Sequence, residues 1–157
     1  VSDITMFIDD LPELLRRLSD PTTPYTATEL RCRIAAFGWD RCFSTLRSEL
    51  QSGQDDVRRL VLAVISEEAD QSGPDAVVCL LPEVTYCLKS ENRLLRQAAI
   101  LVVESLGVMT GTVSDALRNI VTQDESAIAR EALTVLVQHD DTAMKEITDL
   151  LRGRWCQ

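Results

Sequence analysis

Runs of apolar residues recur along the chain between polar stretches of helical length: LVLAVI (60–65), AVVCLL (76–81), AAILVV (98–103) and LTVLV (133–137). Such runs fit either buried strands or buried helices, and periodicity alone does not separate the two. The flanks favour helix. DDVRR leads into LVLAVI and SEEAD follows it with no Gly or Pro, whereas a strand needs turn residues on both sides. Gly and Pro fall mostly at punctuation points, among them Pro21, Pro24, Gly38, Gly53, Gly73-Pro74, Gly107 and Gly111. The segments between them predict nine helices, at 8–18, 27–37, 40–51, 55–70, 75–89, 92–106, 113–122, 126–138 and 141–152. Thr26 and Ser90 stand where N-caps are expected, and the short connections favour antiparallel neighbours.

The apolar runs are in register with an arginine. Taking Arg58, Arg96 and Arg130 as anchors, the six residues starting two positions later are LVLAVI, AAILVV and ALTVLV. The anchors lie 38 and 34 residues apart, the length of a helix pair with its turns, and each is preceded by another predicted helix. A helix as apolar as 98–103 has to be covered on most sides, and in a stacked array of helix pairs the cover is other helices.

The three units resemble HEAT repeats, which place a Val-Arg or similar pair near the start of the second helix; here the pairs are Val57-Arg58, Leu95-Arg96 and Ala129-Arg130. Pro82 matches the family's first-helix proline, and Asp124 matches its Asp six residues before the Arg. The other units have Ser44 and Ala116 in place of the proline and Ser52 and Ser90 in place of the Asp. The family's Asp–Arg ladder is therefore not expected to run through all three. The resemblance implies an all-α, right-handed α-solenoid of antiparallel helix pairs. It would form one domain over 1–157, with a degenerate leading unit (1–39), three repeats (40–138) and a closing helix and tail (139–157).

Composition narrows the function classes. The chain of 157 residues carries a formal charge of −9, and its Lys and Arg residues are scattered, which disfavours nucleic acid. No apolar run approaches the roughly 20 residues of a membrane span, and VSDITMFIDD lacks the pattern of a secretory signal. A start at Val1 suggests a processed chain or a segment of something longer. The five cysteines (32, 42, 79, 87 and 156) have no CxxC pair, so a disulfide framework or a zinc cluster is not expected. Cys79 and Cys87 read as small core hydrophobes, and a reducing, cytoplasmic setting follows.

Candidate chemistry is sparse. His139 is the single histidine, and with Asp140 and Asp141 it reads as a helix C-terminus followed by a cap. Asp9-Asp10 and the cluster EEAD (67–70) read as solvated helix ends. There is no GxGxxG, Walker-type or HExxH motif, so no catalytic residue, metal or cofactor is assigned. What does recur is a polar pair one and eight residues past each anchor: Arg59 and Ser66, Gln97 and Glu104, Glu131 and Gln138. Seven residues is close to two turns, so each pair shares a helix face, and stacking would align the pairs as a stripe. The resemblance implies that this stripe lies on the concave, partner-binding side. The expected function is a non-catalytic scaffold that binds a protein or peptide, as a monomer or as part of a longer solenoid. The alternatives are a HEAT-like enzyme or cofactor-handling protein of the bilin-lyase kind, and a structural segment whose ends stack.

Overall fold

The computed structural model describes residues 2–20 and 27–139, together with Asp149 and Arg152. The described residues are all-helical. Eight α-helices follow in order: α1 (Ser2–Leu18), α2 (Ala27–Phe37), α3 (Trp39–Ser52), α4 (Asp55–Ser72), α5 (Leu81–Leu88), α6 (Arg93–Leu106), α7 (Gly111–Gln123) and α8 (Ser126–His139). The competing strand reading of the apolar runs is thereby removed. The expected cap at Thr26 lies outside the described residues, as does the helix expected at 141–152 apart from Asp149 and Arg152.

The predicted helix 75–89 is divided. Residues 75–77 form a turn, Val78–Leu80 is a 3-10 helix, and α5 begins at Leu81. Pro82 favours the division: without an N–H it cannot bond back to the carbonyl of residue 78, and it stands in the first turn of α5, where a missing N–H costs least, whereas Pro12 is carried inside α1. The start of α6 also differs from expectation. Asn92, not Ser90, is the cap, its Oδ1 accepting from the N–H groups of Leu94 (3.0 Å) and Leu95 (3.3 Å). Ser90 supports the turn from outside by accepting from the Asn92 N–H at 3.1 Å. Between α2 and α3 the chain turns through Gly38 at φ 117, where any Cβ would be strained.

Residues 1–106 form one compact unit and 107–157 a second. In the first unit α1 packs on α3 and α3 on α5, while α2 packs on α4 and α4 on α6; α3 also meets α4, and α5 meets α6. Cross-helix hydrogen bonds set the register. Thr28 to Glu67 and Ser66 to Ser105 join residues 39 apart, whereas Arg31 to Glu68, Asn92 to Asp55 and Cys87 to the Leu50 carbonyl join residues 37 apart. All five straddle the 38-residue spacing of Arg58 and Arg96.

Burial follows the same spacing. Val57, Val61, Leu62, Val64, Ile65 and Glu68 of α4 are buried, and so are their counterparts 38 residues on in α6: Leu95, Ala99, Ile100, Val102, Val103 and Leu106. The two anchors do the same work. Arg58 donates to the Gln51 carbonyl at 2.9 Å, and Arg96 donates to the Ser90 and Glu91 carbonyls, both at 2.9 Å. Each arginine thus ties the start of its helix to acceptors in the segment before it.

In the second unit α7 packs against α8. Thr110 caps α7 by accepting from the Val113 N–H at 3.3 Å. The buried residues of α8 are Ile128, Ala129, Ala132, Val135 and Leu136. Four of these match Leu95, Ala99, Val102 and Val103 of α6 at a spacing of 33, one less than the anchors suggest. At that spacing Ala129, not Arg130, corresponds in sequence to Arg96, and Arg130 is an exposed residue of α8.

Candidate interaction face

Two hydrogen bonds fix α4 and α6 side by side and running in the same direction. Asn92 Nδ2 donates to Asp55 Oδ2 at 2.8 Å near their N-terminal ends, and the Ser66 and Ser105 hydroxyls meet at 2.8 Å towards their C-terminal ends. Each helix buries one face and shows another. The exposed line of α4 includes Asp56, Arg59, Ala63 and Asp70, and that of α6 includes Leu94, Leu101 and Glu104. Positions three and four apart lie along one helix face, so both lines follow from the same helical period that buries the opposite sides.

Four of the six predicted stripe residues belong to this pair of helices. Arg59 is exposed and has Asp56 Oδ1 at 4.0 Å from Nη1. Glu104 is exposed and Gln97 half-buried. Ser66 is half-buried and committed to Ser105, so it joins the two helices instead of presenting a free hydroxyl. The remaining pair lies on α8 in the second unit, with Gln138 exposed and Glu131 half-buried, its Oε2 out of reach of solvent.

Leu94 and Leu101 were missed by a search for polar recurrences. They are 43% and 49% exposed, and they share this outlook only with Tyr86 among the large apolar side chains of the described residues. The run 98–103 is therefore not covered all round: Leu101 reaches solvent while its neighbours Ile100, Val102 and Val103 do not. A position-by-position comparison of the units contains the signal. Leu94 and Leu101 occupy the places of Asp56 and Ala63, where α4 has no large apolar residue.

Other candidate groups serve the fold. Glu68, expected as a solvated acid, is buried and receives Arg31 Nη1 at 2.9 Å. That hydrogen bond is the main reason the Arg31 guanidinium is held above its ordinary pKa. Glu67 accepts from the Thr28 hydroxyl, which leaves it half-buried beside α2. Cys79 is exposed, contrary to expectation, because it lies in the 3-10 turn ahead of α5 and not inside a packed helix. Cys87 is fully buried, and burial pushes its thiol up to about 11. His139 is exposed at the end of α8, and Asp140 and Asp141 lie outside the described residues. Among the described residues no three His, Cys, Asp or Glu side chains converge as a metal site, and no helix is long and apolar enough to cross a membrane.

No family model, curated protein or solved structure matches the chain.

Proposed function

We propose that the chain is a non-catalytic binding module. In this reading α3–α4 and α5–α6 are HEAT-like stacked pairs, and the side lined by α4 and α6 receives a partner protein or peptide in the cytoplasm. The observation that carries it is the pair of exposed leucines on α6. Each stands in solvent on a helix whose other faces are packed, beside a helix with small or charged residues at the same register. Large apolar side chains left in solvent in a row cost solubility and add nothing to the core, which favours a contact made with another molecule. The repeating 37- and 39-residue bonds support the stacked-pair part of the reading. One fold serves many activities, so the exposed face and not the fold class carries the function.

The test is affinity capture from source-cell lysate with the intact chain and with an Arg59→Glu/Leu94→Ser/Leu101→Ser/Glu104→Arg variant. Circular dichroism and urea unfolding confirm that the variant is folded, and both proteins and small molecules are read by mass spectrometry. Loss of a specific captured protein with the variant is the expected result. An identical set of captured proteins would remove this face from the proposal, and a bound small molecule with no protein partner would favour a cofactor-handling role.

A further inference from the structure

We infer that the α4–α6 face takes an amphipathic helical segment of a partner protein, with two apolar side chains two turns apart and Lys or Arg residues beyond the second. This rests on the binding-module reading above and adds the chemistry of the partner.

Spacing and side-chain size on α4 and α6 select the apolar anchors. Leu94 and Leu101 are seven residues apart, about 10 Å along the helix at 1.5 Å per residue. Beside them the side chains of Ala63 (exposed) and Ala98 (half-buried) are short, so a helix laid along α4 and α6 can come close to both backbones. A helix presenting residues i and i+7 matches the spacing of the leucines.

Charge changes along the face and selects the partner's basic residues. Near the N-terminal ends the charges are mixed, as in the Asp56–Arg59 pair. Beyond them the sequence is one-sided. There is no Lys or Arg in α4 after Arg59, nor in α6 after Arg96, while Glu67, Asp70 and Glu104 all lie in those C-terminal halves. The C-terminal ends of two parallel helices add their own negative poles on the same side. Basic residues beyond the partner's second apolar anchor meet this region, which gives the bound segment a direction as well as a composition. A second copy of the chain is a poorer occupant, because its formal charge of −9 opposes approach to an acidic face.

The probe is a synthetic Ala-rich helical peptide with two leucines seven apart followed by lysines, compared by fluorescence anisotropy with a twin carrying glutamates for lysines. The lysine peptide should bind the intact full chain, and the twin should not. Leu94→Ser/Leu101→Ser and Asp70→Lys/Glu104→Lys should each weaken binding by about tenfold or more. Glu13→Lys/Asp40→Lys makes the same change in net charge on exposed residues of α1 and α3 and should leave affinity unchanged. Equal binding of the glutamate twin, or equal weakening by the Glu13/Asp40 variant, overturns the inference. So does concentration-dependent dimerisation abolished by the leucine variant, which would make a second copy the occupant. If lysate capture depends on the face while the lysine peptide does not bind, the partner class is wrong and the binding-module reading survives. Capture that ignores the face overturns the reading itself.

Discussion

Helices α4 and α6 are two solutions to one packing problem. They run side by side, bury residues at the same six positions 38 apart, and use an arginine at the same place to reach the preceding carbonyls. Their exposed lines have the same geometry and opposite chemistry: Asp56 and Ala63 on α4, Leu94 and Leu101 on α6. At these six positions the polarity differs once, where Glu68 stands in place of Leu106 and is matched by Arg31 of α2. The comparison teaches that exposure at these positions is set by neighbouring helices and not by the side chain that occupies them. A leucine at an exposed position is then free to serve something other than the core.

A charge at a buried position should have the largest effect, and the same effect in both helices. Val64→Asp and Val102→Asp occupy equivalent, fully buried positions, and each should abolish cooperative unfolding, because a buried unpaired carboxylate costs as much as a whole domain's stability of about 5–15 kcal/mol. Leu101→Asp, one residue away, should change the urea midpoint little. Equal loss at 101 and 102 would mean that Leu101 is covered.

A smaller effect extends the comparison to the layer of α3 and α5, where Cys87 meets the Leu50 carbonyl. Its thiol is raised from an ordinary 9.0 to about 11 by burial. Below pH 9 the thiol keeps its proton in both states and its contribution is whole. Between pH 9 and 11 the unfolded chain releases the proton while the folded chain retains it, so stability falls with rising pH, by about 2–3 kcal/mol at the upper end. Denaturant unfolding across this range should show the decline, and Cys87→Ala should reduce its slope.

The smallest effect sharpens the anchors. Arg58→Ala and Arg96→Ala should each cost about 1–2 kcal/mol through lost charge-assisted bonds to carbonyls. Arg130→Ala, at an exposed position of α8, should cost less. Equal urea-midpoint shifts for all three would restore Arg130 as a third equivalent anchor.

Helix positions were readable in the sequence because the local signals agree: helix-forming flanks around apolar runs, with Gly and Pro between them. Misreadings arose where one residue decides a boundary. Pro82 stands in the first turn of α5, where the predicted helix 75–89 divides, and the choice of Asn92 over Ser90 as cap depends on which side chain reaches two N–H groups at once. The candidate face was half readable. Arg59, Gln97 and Glu104 lie on it, Ser66 is drawn into the contact between helices, Leu101 was hidden inside the apolar run 98–103, and Leu94 belonged to no recurrent pattern.

By itself the sequence determined the all-helical class, most helix positions and the 38-residue recurrence of apolar runs, since these follow from backbone period and from the cost of leaving apolar surface in water. Only the tertiary structure decided that Leu101 is exposed while Val102 is buried, that Glu68 is an interior acid matched by Arg31, and that α4 and α6 share one open face. A residue's own chemistry states what it would gain from burial. Whether it is buried depends on which helices arrive on each side of it, and those helices come from residues distant in the chain.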